Sequence, residues 1–127
     1  MKILTLLFSS RKMKKAYHLQ NCTTCQRILK DLEWDNETQE IRSEKITPSQ
    51  LEKMANLAGS YEALFSRRAI KYKTMGLKNK SLSESDYKQL ILEEDTFLKR
   101  PVFIVEDEIF IGNSKSVIET LKQKLRD

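Results

Sequence analysis

Glycine and proline are almost missing from this chain, with three and two among 127 residues. That scarcity excludes collagenous and low-complexity chains and argues against turn-rich all-β folds. It also makes each Gly or Pro the mark of a real turn. There are two cysteines and one histidine. Two cysteines make no disulfide scaffold, and their scarcity points to the cytoplasm. A zinc site would need two ligands beyond the cysteines, so no metal is expected. No apolar run approaches the roughly 18–20 residues that span a bilayer, so no membrane contact is expected. What is present is 39% hydrophobic and 32% charged, enough for one core in a domain of about 100–150 residues.

The net charge of +5 is local. Between Tyr61 and Lys80 stand Arg67, Arg68, Lys71, Lys73, Lys78 and Lys80 against Glu62 alone, and the rest of the chain carries 17 charges of each sign. A DNA-binding domain spreads basic residues along a face, so direct DNA binding is not expected. A local cluster suits a small anion or an acidic patch on a partner better. The run Arg67, Arg68, Lys71, Lys73 reads either as a solvated face or as the source of a second anion clamp. The acidic runs 93–95 and 106–108 read as solvated.

Met1–Phe8 has the apolar character of a signal-peptide core, but the run is about six residues and lacks a small-residue cleavage site. Residues 1–12 are therefore expected to be an extension, disordered or an artefact of start-codon choice. An extra strand is the alternative. The folded domain is expected over 13–127. Ala16–Leu19 reads as a strand running into a loop. Cys25, Ile28, Leu29 and Leu32 then fall on one helical face. Asn36–Arg42 is at best a weak edge strand. Thr47-Pro48-Ser49-Gln50 has the marks of a capping box with proline in the first turn. Leu51, Met54, Ala55 and Ala58 make the face of that helix, and Gly59 ends it. Ser60–Phe65 reads as a short second helix. Ser83 and Asp86 look like a second capping box, and Tyr87, Leu90, Ile91 and Leu98 predict a helix to about Lys99. Val102–Val105 and Ile109–Ile111 read as strands. Asn113 or Ser114 caps a last helix carrying Val117, Ile118, Leu121 and Leu125.

The order β-α-β, helical insert, β-β-α is the α/β plan of a thioredoxin-like fold. It implies a mixed four-stranded sheet with an inserted helical subdomain over about 47–99. Cys22-Thr23-Thr24-Cys25 sits at the expected strand-to-helix junction. A helix start exposes unpaired N–H groups and the positive end of its dipole, and both favour thiolate over thiol. Cys22 is thus the expected nucleophile, and Cys25, one turn in, the resolving residue. The plain alternative is two packed cysteines without chemistry. His18 reads as a strand residue rather than a base. In a thioredoxin-like fold the proline opening the late strand, here Pro101, is cis and faces the active-site cysteine. Arg100 would then aim a permanent charge and a fork of donors at Cys22, stabilising a thiolate or binding an oxyanion. A surface arginine before a turn is the alternative.

With Asn21-Cys22-Thr23-Thr24-Cys25 and Arg100-Pro101, the chain resembles the family of glutaredoxin-linked arsenate reductases and the related Spx redox regulators of RNA polymerase. The likeness runs from about Lys14 to Leu125. It includes Leu64-Phe65-Ser66-Arg67-Arg68 leading to Met75-Gly76-Leu77. It implies Cys22 as the catalytic or switch cysteine, Arg100 as the arginine before the cis proline, and an insert arginine at or near Arg67 or Arg68, with Arg100 and that insert arginine, Arg67 or Arg68, binding the anion. Two departures matter. Cys25 is a second cysteine, as in Spx-type members, and no arginine stands at Ile111-Gly112-Asn113, where a third anion-holding arginine is expected. One missing charge-assisted donor costs roughly 1.5–3 kcal/mol, so efficient arsenate reduction is not expected. The leading expectation is a thiol–disulfide oxidoreductase without bound cofactor, using glutathione or a glutaredoxin- or thioredoxin-type dithiol protein as reductant. The alternatives are an Spx-like regulator docking on RNA polymerase and a member that has lost the chemistry.

Overall fold

The computed structural model describes residues 13–127. The extension expected over residues 1–12 lies outside them. The strands are β1 (Lys14–His18), β2 (Glu37–Glu40), β3 (Val102–Val105) and β4 (Glu108–Ile111). The helices are α1 (Thr23–Asp31), α2 (Pro48–Ala58), α3 (Ile70–Thr74), α4 (Glu84–Glu93) and α5 (Lys115–Arg126). The described residues divide into two compact units: 13–41 together with 100–127, and 42–99.

The first unit holds the sheet, in the order β2-β1-β3-β4. β1 runs parallel to β2 and antiparallel to β3, and β3 and β4 form an antiparallel hairpin. This is the mixed four-stranded sheet of a thioredoxin-like fold. Register places Ala16 opposite Phe103 and Phe103 opposite Phe110. With Val105 they line one sheet face and pack with Ile28 of α1 and Leu121 of α5 in one buried cluster. Leu29, Leu32, Val117, Ile118 and Leu125 pack half-buried against it, the helical faces read from their spacing. All four residues of β3 are buried, as an unbroken apolar run requires when both faces of a strand are covered. Trp34 sets its ring edge-on to Phe103 at 5.0 Å and donates its indole N–H to the Glu37 carbonyl.

The acids at 106–108 are not simply solvated. Lys124 of α5 reaches Glu106 at 3.2 Å and Glu108 at 3.0 Å, which ties the hairpin turn to the last helix. These pairs are largely exposed, so each contributes little. Ser114, one of the two expected caps, accepts from the Val117 amide and starts α5.

In the second unit α2 begins with the predicted capping box. Thr47 Oγ1 accepts from the Gln50 amide and Gln50 Oε1 from the Thr47 amide, both at 3.1 Å. Gly59 closes the helix at φ 100°, a backbone state glycine adopts without steric cost. Ser83 and Asp86 form the second box. The segment expected as a short second helix is a 3₁₀ turn over Glu62–Leu64.

The fourth helix is shorter than its apolar spacing predicts. α4 ends at Glu93, Glu94 turns extended at φ −141°, and a 3₁₀ turn covers Asp95–Phe97. Two forces end it. Three consecutive acids oppose the negative pole of a helix C-terminus, and leaving the helix lets Glu94 pair with Lys71 at 2.7 Å and Asp95 with Arg42 at 3.0 Å. The extended backbone then bridges Leu98 to Phe65, and Phe97 stacks on the Phe65 ring at 5.0 Å. α3 has no buried residue, so no apolar periodicity revealed it.

Leu121 is fully buried, whereas Ile70 of α3 is 80% exposed. Leu121→Ala is expected to cost about 2–5 kcal/mol, and Ile70→Ala about 0.5 kcal/mol or less. Urea unfolding midpoints of the two variants check the contrast. Equal midpoints would mean that the Leu121 cluster is not the core of its unit.

Candidate functional site

The turn between β1 and α1 is short because Leu19 folds the backbone back at once. Its carbonyl accepts from the Cys22 amide at 3.1 Å. Cys22 is the residue that caps α1. It is extended at φ −91° and ψ 102°, and its sulfur accepts from the Cys25 amide at 3.4 Å. A cysteine sulfur thus takes the capping place usually held by a serine or aspartate oxygen. The Cys22 carbonyl accepts the first intrahelical bond, from the Gln26 amide at 3.1 Å.

The two cysteines are free thiols in different surroundings: Cys22 is half-buried and Cys25 fully buried. Burial pushes the Cys25 thiol up from the ordinary 9.0 to about 12, and its hydrogen bond with the Cys22 side chain acts in the same direction. The Leu19 backbone bond to Cys25 lowers it, the charge of Cys22 raises it, and the Arg100 guanidinium lowers it. Arg100 therefore acts electrostatically on Cys25.

The Arg100–Pro101 bond is cis. The Arg100 Nε is buried and has no hydrogen-bond partner among the described residues. A buried N–H without an acceptor is costly, and this Nε can donate to an acceptor that the described residues do not supply. The Arg100 carbonyl accepts from Asn113 Nδ2 at 3.5 Å, and the Pro101 carbonyl from the Gly112 amide at 2.9 Å. Gly112 and Asn113, in a stretch that carries no arginine, thus support the backbone of Pro101 and Arg100.

Arg67 and Arg68 belong to the second unit. Arg67 gives its Nη2 to the Glu62 carboxylate at 2.8 Å and to the Tyr87 hydroxyl at 2.9 Å. The Glu62 bond holds its pKa above the ordinary value. Arg68 is exposed, and its guanidinium makes no hydrogen bond or ion pair among the described residues. Of the two, Arg68 is the one whose donors are open. Among the described residues no group of three His, Cys, Asp or Glu is placed to hold a metal ion, and no helix is long and apolar enough to cross a membrane.

Two residues of the site gave no sequence signal. Gln26 donates its side-chain amide to the Leu19 carbonyl at 2.9 Å and meets His18 Nδ1 at 3.0 Å. The bond of Asn113 to the Arg100 carbonyl likewise leaves no trace in the sequence, where Asn113 reads only as a cap candidate in a stretch without arginine. A polar residue one turn into a helix looks like surface until the turn before it folds back.

A cysteine pair at the head of the first helix, beside a mixed sheet with a cis proline opening β3, defines a thiol redox protein of thioredoxin-like fold. Residues 17–121 match the model of the ArsC family, and the chain belongs to that family. Among solved structures it is similar to a possible arsenate reductase from Streptococcus mutans, with 26% identity over 87% of this chain and 98% of that one and a TM-score of 0.68. A Staphylococcus aureus protein solved by NMR matches with 26% identity over 85% and 97% and a TM-score of 0.68. The arsenate reductase of Vibrio cholerae matches with 16% identity over 87% and 97% and a TM-score of 0.72, a likeness of fold. No curated protein matches the chain at a significant level.

The raised Cys25 value carries a sign. The folded chain keeps a proton on Cys25 that the unfolded chain releases above pH 9.0. This stabilisation is full below pH 9.0 and is lost as the pH rises through about 12. Stability of the wild type should fall more steeply across that window than stability of Cys25→Ala. Urea midpoints at stepped alkaline pH measure the two slopes, and parallel slopes would show that Cys25 is not held as a buried thiol.

Proposed function

We propose that the protein is a thiol–disulfide oxidoreductase in which Cys22 is the nucleophile and Cys25 the resolving residue. One observation carries this reading: the half-buried sulfur of Cys22 caps α1 and accepts from the backbone amide of the fully buried Cys25 at 3.4 Å. Cys22 loses its proton and attacks one sulfur of a substrate disulfide, and the other sulfur leaves as a thiolate that takes up a proton. Cys25 then gives up its proton and attacks Cys22 Sγ, which expels the second substrate thiol. Two protein thiols become one disulfide, and one substrate disulfide becomes two thiols. Two glutathione molecules, or one dithiol of a glutaredoxin- or thioredoxin-type protein, return the two electrons.

The order of the steps follows from what holds Cys25 up. The hydrogen bond and charge of Cys22 both hold the proton on Cys25. A mixed disulfide on Cys22 removes that charge and weakens that bond, while the Arg100 charge and the Leu19 bond still favour a Cys25 thiolate. Burial, the largest cause, remains, so occupying Cys22 eases the loss of the Cys25 proton without removing the main hold on it. Arg100, with its open Nε, receives an anionic group of the substrate, such as a carboxylate of a glutathione unit.

A second reading uses the same disulfide as a switch on a surface that docks on RNA polymerase, as in Spx-like regulators. The presence of Cys25 and the lack of an arginine at 111–113 favour it over efficient arsenate reduction. Capture of polymerase subunits by the oxidised but not the reduced form would select it.

Oxidised glutathione should remove two hydrogens from the wild-type mass. Cys25→Ser should accumulate one glutathione adduct on Cys22, and Cys22→Ser should stay unmodified. Adduct on neither cysteine would sink the oxidoreductase reading.

With arsenate, glutathione and glutaredoxin present, turnover of the wild type is expected to be slow. Asn113→Arg should raise it about tenfold, the value of one charge-assisted donor. A coupled assay of glutathione oxidation measures both proteins, and fast wild-type turnover would contradict the expectation.

A further inference from the structure

Gln26 is the residue that the chemistry above leaves without a role, yet it holds both ends of the cysteine turn. Its backbone amide donates to the Cys22 carbonyl at 3.1 Å. Its side-chain Nε2 donates to the Leu19 carbonyl at 2.9 Å and meets His18 Nδ1 at 3.0 Å. Leu19 is 2% exposed. Its carbonyl takes a second donor, the Cys22 amide at 3.1 Å, and its backbone also bonds Cys25.

The orientation of the Gln26 amide follows from this geometry. Turned the other way, its oxygen would face the Leu19 carbonyl, acceptor against acceptor. With Nε2 on Leu19, the second amide hydrogen points to His18 Nδ1. His18 in β1 thus aligns Gln26, Gln26 holds the Leu19 carbonyl, and Leu19 holds the backbone that carries both sulfurs.

We infer that Gln26 is a positioning residue for the Cys22–Cys25 pair, acting through the Leu19 carbonyl and aligned by His18. The inference deepens the oxidoreductase reading and rests on it. Without the Gln26 side chain, Leu19 keeps one donor of two and the first turn of α1 is free to shift against β1. Closure of the Cys22–Cys25 disulfide then loses effective concentration.

The test equilibrates the full chain with mixtures of reduced and oxidised glutathione and follows Cys22 alkylation by iodoacetamide against pH. Gln26→Leu should shift the dithiol–disulfide equilibrium constant about tenfold, the worth of one hydrogen bond, and change the alkylation profile. Gln26→Glu, close in shape and with no amide donor, should do the same and serves where Gln26→Leu does not fold. His18→Phe should give a smaller change in the same direction. The variant with both substitutions should behave like Gln26→Leu alone, because His18 acts through Gln26; a merely structural pair would add. Wild-type equilibrium and alkylation in both Gln26 variants would overturn the inference. If the wild type forms no disulfide in any glutathione mixture, the oxidoreductase reading fails instead, and the alkylation profiles of the Gln26 variants still decide the role of Gln26.

Discussion

Cys25 is sealed from water while Cys22, three residues earlier, stays partly open, and the backbone of Leu19 makes both arrangements possible. Its carbonyl takes the Cys22 amide and the Gln26 side chain, and its backbone also reaches Cys25. Leu19 is itself buried, so the bonds that shape the turn are shielded from competing water. One residue at the end of a strand thus sets where the helix starts and which sulfur is exposed.

The sheet makes that turn stiff. β1 lies between β2 and β3, so the strand leading into the cysteines is held along both edges. Phe103 and Phe110 stand in register with Ala16, under Ile28 and Leu121. A small residue in the central strand lets the large rings of its neighbours and the two helices close over it. In the same unit, Asn113 braces the backbone of Arg100, whose charge acts on Cys25. Packing and chemistry are therefore linked by backbone positions.

In the second unit, ion pairs accompany the end of α4. Six acidic and basic side chains there are spent on one another, in the pairs Arg67–Glu62, Lys71–Glu94 and Arg42–Asp95. Each exposed pair is weak alone. Together with the Phe65–Leu98 bridge, they set where α4 stops and leave Arg68 as the arginine of its pair with open donors.

Local patterns were enough for much of this protein. The capping boxes at Thr47 and Ser83, the face Ile28-Leu29-Leu32, the buried strand Val102–Val105 and the cysteine pair at a helix start are short-range features, written within a few residues. So was Arg100-Pro101 at the head of β3. The end of α4 was not legible, because it depends on partners 23 and 53 residues away in sequence. Nor was α3, which buries nothing, or the hold of Gln26 on Leu19, which exists only once the chain has turned back on itself. Residue type and spacing determined which chemistry the chain carries. Tertiary structure decided which sulfur is open, which arginine has a donor to spare and which side chain holds the turn, because burial and hydrogen-bond partnership belong to positions in space and not to positions along a chain.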